Sequence, residues 1–397
     1  MPISPSRLRA WYSHRQGLDG GFMGNTAAEV LERTGWARSV GGVAPYLTLF
    51  SRGGISREAA DGAVEKLSIH ELPAARNCTY VLPASDFALG LTVGATFAGA
   101  ELSVAAKLGV TEREVSKLCD AVRKALENGA LTPDEIRDAV GPAARSLGEE
   151  GTKKGISTTL PLALGKLQAE GEIRRLSTNG RLDNQRYKYA LWRPNPLARF
   201  KLSLDEAMAE LAKRFFAWIG PETLTNFQQF SALGVKASKE AVASLKLVPV
   251  ADGDERLMLP QDREALEEFK EPKDAQYVLV SSLDGIVLFG PAMKGVLDVA
   301  DQSRELFIEK DTKPGGSLTY APSHMILDRG RLIGLWEFDT ETNSIAWTSF
   351  VKRNKELENA VARTQEYVRT QLGDARSFAL DSPKSRAPRI AYLRKQG

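Results

Sequence analysis

The side chains whose types and spacing suggest chemistry in this 397-residue chain are basic and aromatic, and they cluster. Residues 151–200 hold ten Lys or Arg (Lys153, Lys154, Lys166, Arg174, Arg175, Arg181, Arg186, Lys188, Arg193 and Arg199) against three acids. That stretch is net +7, the preceding fifty residues are net −3, and the whole chain is only +3. A local cationic surface of this kind attracts phosphates through counterion release, and it acts as a patch rather than a global field. The bland alternative is a solvated basic face with no partner. In "RYKYALW" the period-two spacing puts Tyr187, Tyr189 and Leu191 on one side and Arg186 and Lys188 on the other. The tyrosines then support the strand from the core while the cations lie along phosphates.

Catalytic constellations are scarce by comparison. The three histidines, His14, His70 and His324, lie far apart, and no phosphate loop, zinc-protease or nucleophile-elbow pattern occurs. Cys78 and Cys119 form no CxxC and belong to no His/Cys cluster. No metal site, cofactor or disulfide scaffold is expected, and a reducing cytoplasm fits. The first residues lack an apolar signal region. No run approaches 18 uninterrupted apolar residues, so no membrane helix is expected.

The elements that must position the basic hairpin are well marked. Thr26/Glu29, Thr111/Glu114 and Thr132/Glu135 have capping-box spacing, each before an amphipathic run. "LPLALGKLQAEG" predicts a further helix ending at Gly171, after which the period changes to two. Asn179-Gly180 predicts a short hairpin turn. Helix, turn, helix and hairpin in that order is the plan of a winged helix. Segments 1–98 and 201–268 repeat it more weakly, and from about Gln276 the pattern turns to strands. The expected fold class is therefore α+β. It comprises three tandem winged-helix units (1–98, 99–200 and 201–268), a small β-barrel-like domain (269–352), and a C-terminal helix with a basic tail (353–397). The tail, "KSRAPRIAYLRKQG", carries five basic residues and no acid, which predicts a mobile arm.

Several of these pieces resemble a known family. "RLRAWYSHRQGL", "VLERTGWARSVGGVAPYLTLFSR" with its PYL.L..R ending, "AARNCTYVLPASDF", "FAWIGPETLTNF", "VSSLDGIVLFG" and "MILDRGRLIGLWEF" follow, in order, the AlkZ/YcaQ-type DNA glycosylases. That family excises alkylated bases and unhooks interstrand crosslinks. The resemblance implies three winged helices around a DNA duplex, double-stranded DNA as partner, and no membrane. It implies no particular protein partner. The segregated charge places candidate DNA contacts on Lys153, Lys154, Lys166, Arg174, Arg175, Arg181, Arg186 and Lys188, and the retained family pattern adds Arg76. The family's active loop carries Gln-x-Gln or Gln-x-Asp. Here Arg38, Ser39 and Val40 stand at those positions, Tyr80 replaces the strand histidine and Asn77 its glycine, while Arg76, Pro83 and Asp86 keep the pattern. Hydrolysis of an N-glycosidic bond passes an oxocarbenium-like cation and needs a placed water, tasks suited to amide or carboxylate oxygens. Arginine accepts no proton, and its fixed charge opposes a developing cation. Three outcomes remain open. The chain is a DNA-binding relative with altered chemistry, a glycosylase using another acceptor such as Asp86 or Asp284, or a regulator that senses a ligand or partner.

Overall fold

A computed structural model of the chain describes residues 3–290, 292–308 and 310–397. The fold is α+β. The first segment holds α1 (Pro5–Arg15), α2 (Ala27–Thr34), β1 (Ala37–Arg38), α3 (Ala44–Gly53), α4 (Arg57–Glu65), β2 (Ile69–Pro73) and β3 (Thr79–Pro83), then α5 (Phe87–Ala106). The second holds α6 (Glu112–Ala125), α7 (Pro133–Val140), α8 (Gly148–Lys153), α9 (Leu160–Ala169), β4 (Ile173–Ser177) and β5 (Tyr187–Leu191). The third holds α10 (Leu204–Ile219), β6 (Glu222–Thr223), α11 (Leu224–Ser231), α12 (Val235–Val242), β7 (Val248–Pro249), β8 (Arg256–Met258) and α13 (Pro260–Glu268).

The three segments share one topology. In the first and third, the strand before the inner helix pair (α3–α4 and α11–α12) pairs with the last strand, giving the orders β1-β3-β2 and β6-β8-β7. In the second, the single residue Leu131 takes that strand's place and bridges to Tyr189. Local chemistry sets the helix starts: the Thr26/Glu29 and Thr132/Glu135 boxes close in both directions, and Ser203/Glu206 adds a third. At Thr111 only the hydroxyl-to-Glu114 half forms.

The remainder holds β9 (Tyr277–Val280), α14 (Gly285–Leu288), α15 (Ala292–Val296), β10 (Glu305–Ile308), β11 (Asp311–Pro314), β12 (His324–Asp328), β13 (Arg331–Asp339), β14 (Ser344–Ser349), α16 (Lys355–Tyr367) and α17 (Pro383–Gln396). Here the barrel expectation needs correction. The strands form an open antiparallel sheet, β14-β13-β12-β9, with a separate β10-β11 hairpin. α17 packs on β13 and β14 and α16 on β9, so helices cover what closure would have buried.

Packing joins what sequence divided. The middle segment has its own core, which includes Leu118, Val122, Ile136, Leu167, Ile173 and Tyr189. The first and third segments instead share one core with the sheet, through Trp36, Tyr80, Phe215, Trp218, Phe230 and Phe289. The expected boundary at 98/99 falls inside α5, which runs unbroken across it. By length and composition, residues 84–106 are also apolar enough to cross a membrane. Part of the helix packs closely on β2. A Cβ on Gly94 would sit 2.6 Å from the Pro73 carbonyl oxygen, so β2 can approach only a glycine.

Two further expectations fail for identifiable reasons. Asn179-Gly180 is not a two-residue turn, because the last strand pair is Ser177–Tyr187 and a nine-residue loop spans 178–186. Leu182 is buried in the first segment, where its N–H donates to the Tyr46 hydroxyl (2.8 Å), and this draws the loop outward. The C-terminal tail is not an arm but α17, with Ile390 and Leu393 buried. Three of its five cations are paired: Arg386 with Asp374, Arg389 with Glu337 and Asp381, and Arg394 with Asp339.

Candidate nucleic-acid interface

The motif loop is held by the smallest strand pair in the first segment. β1 and β3 align Arg38 with Tyr80. Directly opposed residues share a face, and the Arg38 guanidinium lies 5.3 Å from the Tyr80 ring centre. Its Nη1 donates to the Thr79 carbonyl oxygen (2.7 Å). Tyr80 is buried, and burial pushes its hydroxyl pKa up. At the tip of the β2–β3 hairpin, Arg76 and Asn77 are exposed, both with left-handed φ (58° and 53°). Asparagine tolerates that conformation better than other side chains, so Asn77 suits the turn.

Ser39 faces the other side of the sheet. Its hydroxyl donates to Glu71 Oε2 (2.7 Å), and the Tyr187 hydroxyl donates to Glu71 Oε1 (2.8 Å). Glu71 is buried; burial raises its carboxyl pKa, while the two hydroxyls and Arg175 oppose the shift. Thus Tyr187 ties the basic hairpin to the first segment, while Tyr189 packs into the middle core. Arg175 opposes Tyr189 and its guanidinium sits 5.3 Å from the Tyr187 ring centre, so it lies on the tyrosine face, against the simple two-sided expectation.

The expected phosphate contacts do not form one set. Arg174, Arg175 and Arg181 line a cleft of about 1420 Å³ between α4 and the hairpin, but so do Glu58, Asp61, Glu65 and Glu71. Arg181 is bound to Asp183 (2.8 Å) and to the Leu372 carbonyl. Lys166 pairs with Glu170 at 2.8 Å. Lys188 is half-buried opposite Leu176. Arg186, Lys153, Lys154 and Arg76 are exposed, the first on the hairpin loop and the next two at the end of α8.

The two alternative acceptors both have structural partners. Asp86 is fully buried, accepts from Trp36 Nε1 (2.8 Å) and pairs with Arg214 (3.2 Å). Burial raises its carboxyl pKa against those two partners. It stands at the N-cap of α5 without capping it. Asp284 caps α14 through Ile286 N (3.0 Å) and holds Arg52 with both oxygens. Glu71 escaped sequence reasoning because its partners are 32 and 116 residues away and "IHELP" reads as an ordinary strand.

His324 links the sheet to the loop before α17. Its Nδ1 accepts from Ser282 N (2.9 Å) and its Nε2 faces the Ala375 carbonyl (2.6 Å). One N–H donor and one carbonyl fix the neutral, Nε2-protonated ring. Burial pushes its pKa down to about 4, and burial with Arg174 pushes that of His70 to about 3. A histidine whose folded value is depressed contributes stability that is full above the unfolded value near 6.5 and is lost as pH falls toward the folded value. Between pH 6.5 and 5 each ring should cost about 1.4 kcal/mol per pH unit. Urea midpoints should therefore drop from pH 7 to pH 5, and less so in His324→Gln, which keeps a donor and an acceptor. A flat profile would refute the assignment.

The comparisons with known proteins follow this geometry. A family model described as DNA glycosylase AlkZ-like matches residues 40–371. Among solved structures, the Streptomyces sahachiroi DNA glycosylase AlkZ aligns over 95% of this chain and 99% of its own, at 20% identity and a TM-score of 0.69. At that identity the likeness concerns the fold. No curated protein matches.

Proposed function

This chain belongs to the AlkZ-like DNA glycosylase family, and from that premise we propose that it binds double-stranded DNA in connection with damage or repair, with the family's catalytic loop altered. On this reading the three segments of shared topology are winged-helix units, and the protein works in the cytoplasm without a cofactor. The observation that carries the reading is the Arg38–Tyr80 stack at the motif position. A fixed cation held on a ring face suits a phosphate or a base edge. It does not suit a site where positive charge must develop on a sugar.

The binding itself is tested by salt dependence. Each phosphate contact contributes about 0.9 to the slope of log K against log salt. Replacing Lys153, Lys154, Arg186 and Lys188 with alanine should lower that slope by up to about 3.6. Arg181→Ala should leave it unchanged, because that guanidinium is already held by Asp183. An unaltered slope in the fourfold variant removes the hairpin and α8 from the interface.

A further inference from the structure

The segment joining α16 to α17 is bound to the motif loop. Val43 N donates to the Arg376 carbonyl oxygen and Ala379 N to the Val40 carbonyl oxygen, each at 3.0 Å. Arg376 Nε donates to the Gly41 carbonyl (3.0 Å), and its Nη2 to the Asp183 carbonyl of the basic hairpin's loop (2.7 Å). The approach is so close that a Cβ on Gly42 would meet the Ser377 carbonyl oxygen at 2.2 Å. Next the chain makes a β-turn, Phe378–Asp381, closed by Asp381 N to the Phe378 carbonyl (3.0 Å). Buried Asp381 locks it, accepting from Ser377 N (3.1 Å) and from Arg389 with both oxygens (2.8 and 3.0 Å).

This rigid turn carries Phe378, 44% exposed, and Leu380, 86% exposed. Scattered exposed apolar residues are ordinary. Two on one pinned turn, bonded to the loop where Val40 replaces a polar family residue, are a different matter. The fold covers Phe378 only in part and Leu380 hardly at all, and the locked backbone means that little ordering would be needed on binding. Exposed Arg186, next to Gln185 which packs on Gly41, and exposed Lys384 flank the turn with positive charge. An apolar tip between cations fits a nucleic acid, whose base faces are apolar and whose backbone is anionic.

We propose that Phe378 and Leu380 form a wedge that enters the base stack of duplex DNA beside the motif loop. Apolar wedges of this type unstack a base step and kink the duplex. The proposal rests on the DNA-binding reading above and adds where the duplex is opened. Its test uses the full chain and a duplex carrying 2-aminopurine, which brightens when unstacked. Binding by the parent chain should raise the fluorescence. The Phe378→Ala/Leu380→Ala variant should bind within about twofold and with the same salt slope, since phosphates supply that term. Its fluorescence rise should be at least about fivefold smaller, because the unstacking side chains are gone. A full rise in the variant, or a bound parent with no rise, overturns the wedge alone. Loss of all binding in the variant, with melting unchanged, would make the turn a docking face and also overturn it. A parent that binds no duplex sinks the DNA-binding reading itself.

Discussion

Given a duplex containing N7-methylguanine, the Arg38→Gln/Val40→Gln variant is expected to release free base about 100-fold or more faster than the parent chain, the scale of one well-placed transition-state group. The parent should release none above the uncatalysed rate. The glycosidic carbon becomes cationic as the bond breaks, and on the proposed reading the Arg38 charge at the motif position would raise that barrier. The leaving base is already charged and needs little acid help, so water placement and charge are the decisive variables. Glutamine at 38 removes the cation, and its amide can still donate to the Thr79 carbonyl that Arg38 now holds. Glutamine at 40 supplies an oxygen able to hold water. Single-turnover assays with both proteins saturating the duplex separate chemistry from binding. Base release by the parent at the variant's rate would place the chemistry elsewhere. A variant that binds but stays silent would show that more than these two side chains was altered.

Arg52→Ala should cost about 3–5 kcal/mol, the usual result of stranding a buried charge. Arg52 is 1% exposed and Asp284 is fully buried. The guanidinium donates to both Asp284 oxygens (2.8 and 2.7 Å) and to Gln16 Oε1 (2.8 Å). Gln16 in turn donates to the Thr34 and Trp218 carbonyls. One arginine at the end of α3 therefore ties the first segment, the third segment and α14 together. Without it Asp284 is left charged in a dry interior. The double variant Arg52→Met/Asp284→Leu should recover most of the loss, short of about 1 kcal/mol for the forfeited α14 cap. Urea midpoints of the parent and both variants decide this. A loss below about 1 kcal/mol in Arg52→Ala would mean that water reaches the pair.

The same pair shows how far sequence could be read. The PYL.L..R ending marks Arg52 as part of a family pattern, yet its partner lies 232 residues away. Asp284 in "SSLDG" reads as a turn residue or a spare acid, and it is a cap and a counter-ion. Asp86 likewise keeps its helix-start position while its carboxylate turns inward to Trp36 and Arg214. The basic tail misleads for a related reason. Its five cations look solvated because the acids that hold three of them, Asp374, Glu337/Asp381 and Asp339, are supplied mainly by the β13 strand and the loop before α17.

Local signals determined what depends on neighbours in the chain. The capping boxes at Thr26 and Thr132, the change of period after Gly171, the strand-rich final third and the family's order of motifs all follow from spacing along a few residues. Only the folded chain decided which charges stay free, because an ion pair depends on distance in space, and Arg181, Lys166 and Asp284 carry no mark of their partners. It alone set the Phe378–Leu380 turn against the motif loop, a contact spanning 335 residues at Arg376 and Gly41. No periodicity encodes such a contact, since it forms when separate cores pack and bring distant loops to one edge.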